Sequence, residues 1–159
     1  MWKHIKDYVF ASECKNYKSL TDSTRKLFFS TNSAIRGTLR NHDKLGFPQN
    51  SVDWKGEAWY RVKGNAGTRI PEYPFTSVQV GDLVYCQTWC PRYLSKGSHP
   101  QTPGELVYNL TVCYNCLGHV CMYVHNYVKI TNCGDFFVYY LTEEFPYNYI
   151  IHLMSYCTE

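Results

Sequence analysis

The chain has 159 residues, a formal net charge of +3, 17% aromatic and only 18% charged residues, which is enough material for one domain with its own core. Its basic residues are scattered and never dense enough to track a phosphate backbone, which argues against a nucleic-acid partner. No run of eighteen apolar residues offers a membrane span. Eight cysteines, an even count far above ordinary usage, point to a disulfide framework and an oxidising compartment.

In chain order, Met1 to Asp7 lacks the apolar core of a signal peptide, so a secreted reading expects that signal to be absent from this chain. Asp22 or Ser23, ahead of Thr24 to Phe29, predicts a short capped helix. Arg36 to Gln49 is polar and carries Gly37, Gly46 and Pro48, and residues 26–50 read as a loop insertion within a single domain over 1–159. After Asp53 the apolar residues come in short runs of strand length and composition: Trp59 to Val62, Leu83 to Tyr85, Leu106 to Tyr108, Val120 to Val124, Tyr127 to Ile130 and Phe136 to Leu141. Turn signals separate them at Lys63 to Gly67, Ser95 to Gly97, Pro103-Gly104 and Cys133 to Asp135, and His125-Asn126 reads as a tight hairpin. The segment from Pro91 to Pro100 reads as a loop. The predicted class is all-β or β-rich: a small, disulfide-rich antiparallel sheet domain with a loop-rich N-terminal segment and at most short helices.

The sulfur chemistry has three readings. A zinc site of Cys86, Cys90, Cys113 and Cys116, with His119 or His125 as substitutes, needs converging thiolates and leaves four cysteines without a task. A redox pair Cys113-x2-Cys116 requires a helix N-terminus to acidify one thiol, and strand-like sequence surrounds it instead. A Cys116–His119 nucleophile pair is the third. Disulfides account for all eight, although their connectivity does not follow from counting.

Asn109-Leu110-Thr111 is a sequon for N-glycosylation. Arg69, Glu72 and His99 invite a catalytic reading, but a Glu and an Arg beside Pro71 fit a structural ion pair or turn hydrogen bonds better. The chain supplies no paired carboxylates, nucleophile elbow or glycine-rich phosphate loop, so no catalytic residue, metal or cofactor is expected. Tyr139, Tyr140, Tyr147 and Tyr149 form the candidate binding surface, because Tyr offers flat area with a polar tip.

Several stretches resemble one family. Cys14-x2-Tyr17-x2-Leu20-x-Asp22-x2-Arg25 is similar to the opening of the eight- or ten-cysteine extracellular module of uromodulin and the pancreatic granule glycoprotein GP-two. Trp59-Tyr60-Arg61 with Gly67, Arg69, Pro71 and Glu72, then Pro91-x-Tyr93-Leu94-x2-Gly97-x-His99-Pro100, resemble its middle, and Cys133 to Leu141 with Tyr156-Cys157 its close. The likeness covers residues 14–157. It implies bridges Cys14 to Cys133, Cys86 to Cys157 and Cys113 to Cys121. Cys90 and Cys116 have no family counterpart and suggest a fourth, private bridge. Two family bridges are missing as pairs, with Val52 and the neighbourhood of Ile151 at the ends of one, and the neighbourhood of Tyr73 and Val120 at the ends of the other. The implied function is a secreted, non-enzymatic recognition, adhesion or defence module whose partner is an extracellular protein or glycan. The residues themselves leave open a structural protein of matrix, mucus or foam, and a metal or chromophore binder using surplus Cys, His and Tyr. The oligomeric state is not encoded in any of these features.

Overall fold

A computed structural model describes residues 11–30, 42–43, 45, 50–73, 83–86, 88, 90–114, 123–143 and 154–159. Alternation builds its strands: Tyr60 and Val62 turn into the core while Trp59 and Arg61 turn away, and Tyr139 and Leu141 turn in while Tyr140 turns out. The strands are β1 (Lys18–Leu20), β2 (Phe28–Ser30), β3 (Ala58–Val62), β4 (Glu72–Tyr73), β5 (Leu83–Tyr85), β6 (Cys90–Ser95), β7 (Leu106–Tyr114), β8 (Tyr123–Asn132), β9 (Phe137–Leu141) and β10 (Met154–Tyr156). Among the described residues, helix is limited to single 3₁₀ turns at Ser12–Cys14, Ser23–Arg25 and Gly64–Ala66. Asp22 caps the second, its carboxylate accepting from the Thr24 amide at 2.9 Å, so the expected helix start is a cap on one turn before the chain extends into β2.

Among the described residues, eight strands form one sheet in the order β1-β3-β9-β8-β7-β6-β10, with β4 also on β6, while β2 and β5 pair separately. The sheet is strand-rich as expected but mixed in direction. β1 runs parallel to β3, and both β4 and β10 run parallel to β6, sharing its free edge end to end. The segment 91–100 is therefore a strand as far as Ser95, not a loop. The hairpin expected at His125-Asn126 does not form either, since both residues lie inside β8. β7 is long enough to pair with all of β8, and the register shifts between Leu110↔Val128 and Val112↔His125, where one more residue is accommodated on β8.

A matching shift on β7 separates Val107↔Ile130 from Leu110↔Val128. The extra residue there lets Val107 and Leu110 both approach the core, leaving Tyr108 and Asn109 exposed together, with Asn109 at φ +57°. The main core gathers Leu20, Trp54, Tyr60, Leu94, Ile130 and Tyr156 with their neighbours on the inner face. Trp54 stacks on Tyr60 at 4.9 Å and donates from its indole to Glu143 at 2.8 Å. Gly67 is required where it stands: its φ is +100°, and a side chain there would collide with the Glu159 carbonyl.

The most costly group in this interior is a charge. Arg25 is completely buried, and each of its guanidinium nitrogens is engaged. Nη2 reaches Asp43 and Asp53 at 2.6 Å, Nε reaches Asp53 at 2.9 Å, and Nη1 donates to Asp43, Ser155 Oγ and the Tyr156 carbonyl at 3.0 Å. Both carboxylates reach onward: Asp43 accepts the Tyr156 amide at 2.8 Å, and Asp53 accepts those of Thr21 and Asp22 at 3.0 and 3.1 Å. Burial opposes the Arg25 charge, but the two carboxylates outweigh it and hold the guanidinium above its ordinary value. Asp53 is pushed up by partial burial and pulled down further by Arg25 and the two amides, so its net shift is downward. Asp43 and β2 both fall within 26–50, so the described part of that segment contributes a paired strand and a buried ligand.

Arg25→Met is expected to cost roughly 3–5 kcal/mol in urea unfolding, because it strands two carboxylates beside the core. Arg25→Lys is expected to recover only part of that loss, since an ammonium cannot present the planar fork. A wild-type unfolding midpoint for Arg25→Met would contradict the assignment.

Candidate functional site

The cysteines define the frame on which any site stands. Cys14 is bonded to Cys133 across 119 residues with Cα atoms 5.7 Å apart, and Cys86 to Cys157 across 71 residues at 5.6 Å. Cys113 is disulfide-bonded as well, to a cysteine whose sulfur lies outside the described residues. Cys116 and Cys121 also lie outside them, and of Cys90 only the backbone, at the start of β6, is described. Two sulfurs of the four-thiolate zinc arrangement, Cys86 and Cys113, are thus committed to bridges and cannot serve as thiolate ligands.

The polar group that most resembles a catalytic array is a clasp. Pro71-Glu72 enters β4, and the turn after β6 carries His99 back over it. Glu72 accepts the amides of Gly97 and His99 at 2.6 and 3.0 Å, and its carboxylate meets His99 Nδ1 at 2.5 Å. His99 Nε2 lies 2.7 Å from the Tyr139 hydroxyl, which also accepts the Ile70 amide at 3.2 Å. A neutral imidazole satisfies this chain: Nδ1–H donates to Glu72, and Nε2 accepts from Tyr139. Burial lowers the His99 pKa despite the carboxylate beside it. Glu72 is pushed up by burial but held below its usual range by His99 and the Gly97 amide. Burial likewise raises Tyr139. Arg69 turns instead to Glu159, 2.7 Å away at the surface. Both His99 and Tyr139 are shut away from solvent and Glu72 is half-buried, so the clasp joins the β4 and β9 regions.

Of the candidate tyrosines, Tyr139 is fully buried and does not belong to a binding surface. Tyr140, its neighbour on the opposite face, does reach the surface, and Tyr147 and Tyr149 lie outside the described residues. Sequence reasoning missed Trp59 as Tyr140's companion. The available signal was its place between Ala58 and Tyr60, out of phase with the inward pair Tyr60 and Val62. On the outer face Trp59 and Tyr140 are cross-strand partners with ring centroids 5.7 Å apart, edge to face. With Asn16, Tyr17, Lys18 and Ala58 they line an open hollow of about 480 Å³. Beside it the Cys14–Cys133 bridge packs with Val138, Tyr17 and Phe136, and the Arg61 guanidinium lies 3.8 Å from the Phe136 ring while donating to the Tyr17 hydroxyl at 3.1 Å. Among the described residues, no group of three or more His, Cys, Asp or Glu is placed to hold a metal ion, and no helix is long and apolar enough to cross a membrane.

A family model for the uromodulin-like cysteine-rich domain matches residues 60–158. The chain is 33% identical over 129 residues to the pancreatic secretory granule membrane major glycoprotein GP2 of Canis lupus familiaris, a match that covers 80% of this chain and 20% of that protein. It is 34% identical over 110 residues to uromodulin of Rattus norvegicus, covering 69% and 15% respectively. The chain spans at most a fifth of the length of these curated relatives.

The clasp sets a pH dependence. A depressed His99 pKa means the unfolded chain takes up its proton first, near pH 6.5, so stability falls as pH drops from there until folded His99 titrates. Asp53 and Glu72, both depressed, contribute stability above about pH 4 that is lost as pH falls through their folded values. The melting temperature is expected to decline from pH 7 to pH 5, and His99→Gln, which can keep both hydrogen bonds, to flatten that decline. An equal slope in wild type and variant would refute a neutral, buried His99.

Proposed function

Because the chain belongs to the uromodulin-like domain family, we propose that it is an extracellular, non-enzymatic module acting by recognition, adhesion or defence through a protein or glycan partner. One observation carries the reading: the two long-range disulfides that tie Cys14 to Cys133 and Cys86 to Cys157. Crosslinks of this span restrict the unfolded chain most, by about 4–5 kcal/mol for the longer loop in the chain-entropy model, and they persist in oxidising surroundings. His99 and Tyr139 are buried and hydrogen-bonded with half-buried Glu72, which also favours a structural role over a reaction at that cluster.

The proposal includes one domain over 1–159, with 26–50 inserted in the module 14–157, and four bridges. For the third, Cys113 to Cys121 follows the family. For the fourth, Cys90 to Cys116, the support is the even cysteine count: neither residue has a family counterpart, and two extra cysteines occurring together suit a bridge of their own. We place an N-glycan on Asn109, because that residue is exposed beside Tyr108 at the bulge.

Secreted from eukaryotic cells behind a supplied signal, the deglycosylated protein is expected to weigh about 8 Da less than its all-thiol form, one hydrogen per bridged cysteine. Before deglycosylation it is expected to run as a larger species, a shift that Asn109→Gln abolishes. Retention in the cell with several free thiols would sink the extracellular reading. A mobility unchanged by Asn109→Gln would remove the glycan.

A further inference from the structure

We propose that the outer-face hollow between Trp59, Tyr140 and Lys18 binds an acidic saccharide, one sugar ring lying on the aromatic wall and its carboxylate meeting lysine. Trp59 on β3, Tyr140 on β9 and Lys129 on β8 are register partners across three adjacent strands, so they form one row across the face. The hollow beside this row is open, with Trp59 and Tyr140 half-buried and Lys129 exposed. An aliphatic peptide side chain gains most from an enclosed pocket, whereas a pyranose needs a partial one: its C–H face packs on an aromatic ring and its hydroxyls stay in water.

The polar groups at the rim select the ligand's charge. Lys18 lines the hollow and donates to the Lys55 carbonyl at 3.3 Å, which uses one of its three ammonium protons. Exposed Lys129 places its ammonium 5.2 Å from the Tyr140 ring centre, and the Asn16 amide adds donor and acceptor capacity. Among the described residues no carboxylate lines the hollow. The N-terminal wall, Asn16 to Lys18, is set close behind the Cys14–Cys133 bridge, so the site is built before a ligand arrives.

This inference rests on the extracellular recognition reading and specifies one ligand for it. The test uses the secreted, fully oxidised protein, with tryptophan fluorescence and saturation-transfer NMR during titration with 3′-sialyllactose, and lactose as the neutral control. Saturable binding is expected, weakened tenfold or more for lactose, for the Lys18→Glu/Lys129→Glu pair and at 0.5 M salt. Tyr140→Ala is expected to lose binding at unchanged oxidation state, and the charge reversal, being at the surface, keeps the proposal testable if Tyr140→Ala does not fold. Equal affinity for the two sugars, no saturation with either, or binding that survives both variants would overturn the proposal. So would a concentration-dependent dimer dissolved by the charge reversal, which would make a second copy the occupant. Any of these failures in protein that is secreted and fully bridged leaves the extracellular reading intact, while failure to bridge would strike that reading alone.

Discussion

The fold depends on the buried ion cluster centred on Arg25. Arg25 sits where three segments distant in sequence must meet, and each supplies something it needs: Asp43, Asp53, and the Ser155 hydroxyl with the Tyr156 carbonyl. A guanidinium is suited to this because its planar donors diverge in fixed directions, so one side chain sets the relative positions of several backbones. The surrounding backbone completes the junction. Thr158 donates to the Arg25 carbonyl, Leu27 donates to Thr158, and the Glu159 carbonyl accepts from Thr68 and Arg69 above Gly67. An apolar core of the same volume would stabilise comparably, but it would not dictate which strand lies beside which.

The covalent and ionic constraints divide the labour. Cys86–Cys157 holds the C-terminal strand next to the Arg25 junction on the inner side, and Cys14–Cys133 draws the N-terminal segment across the outer side. Glu72, His99 and Tyr139, closed on one another, are occupied in holding strands together. Among the described residues, the half-buried aromatic row of the outer sheet lines an open hollow, and the bulge presents Tyr108 and Asn109 to solvent. A surface of that kind, on a rigid frame, is what the proposed recognition role requires.

Local patterns carried much of the fold in the sequence. The runs at 59–62, 83–85 and 136–141 read as strands because short β-branched and aromatic stretches between turn signals have few other stable forms. Pro91 disguised β6 as a loop. It precedes the residues that pair with β7, where its missing N–H costs little. Asn126 suggested a turn, but its irregularity is spent on a bulge within one long strand. Tyr139 and Tyr140 could not be told apart, since an unbroken apolar run hides which residues face inward. The Arg25 junction was the least legible feature. Asp43 and Asp53 sit in polar stretches that resemble solvated surface, and only long-range packing brings them to one guanidinium. The resemblance marked Arg25 and Gly67 as positions without giving the physical reason for either.

An oxidised frame fixes this sheet, and a proteolytic map of the unreduced protein puts that to the test. One linked fragment is expected to join the peptides of Cys14 and Cys133, and another those of Cys86 and Cys157, both vanishing on reduction. Recovery of any of these four cysteines as a free thiol, or linked to a different partner, would contradict it.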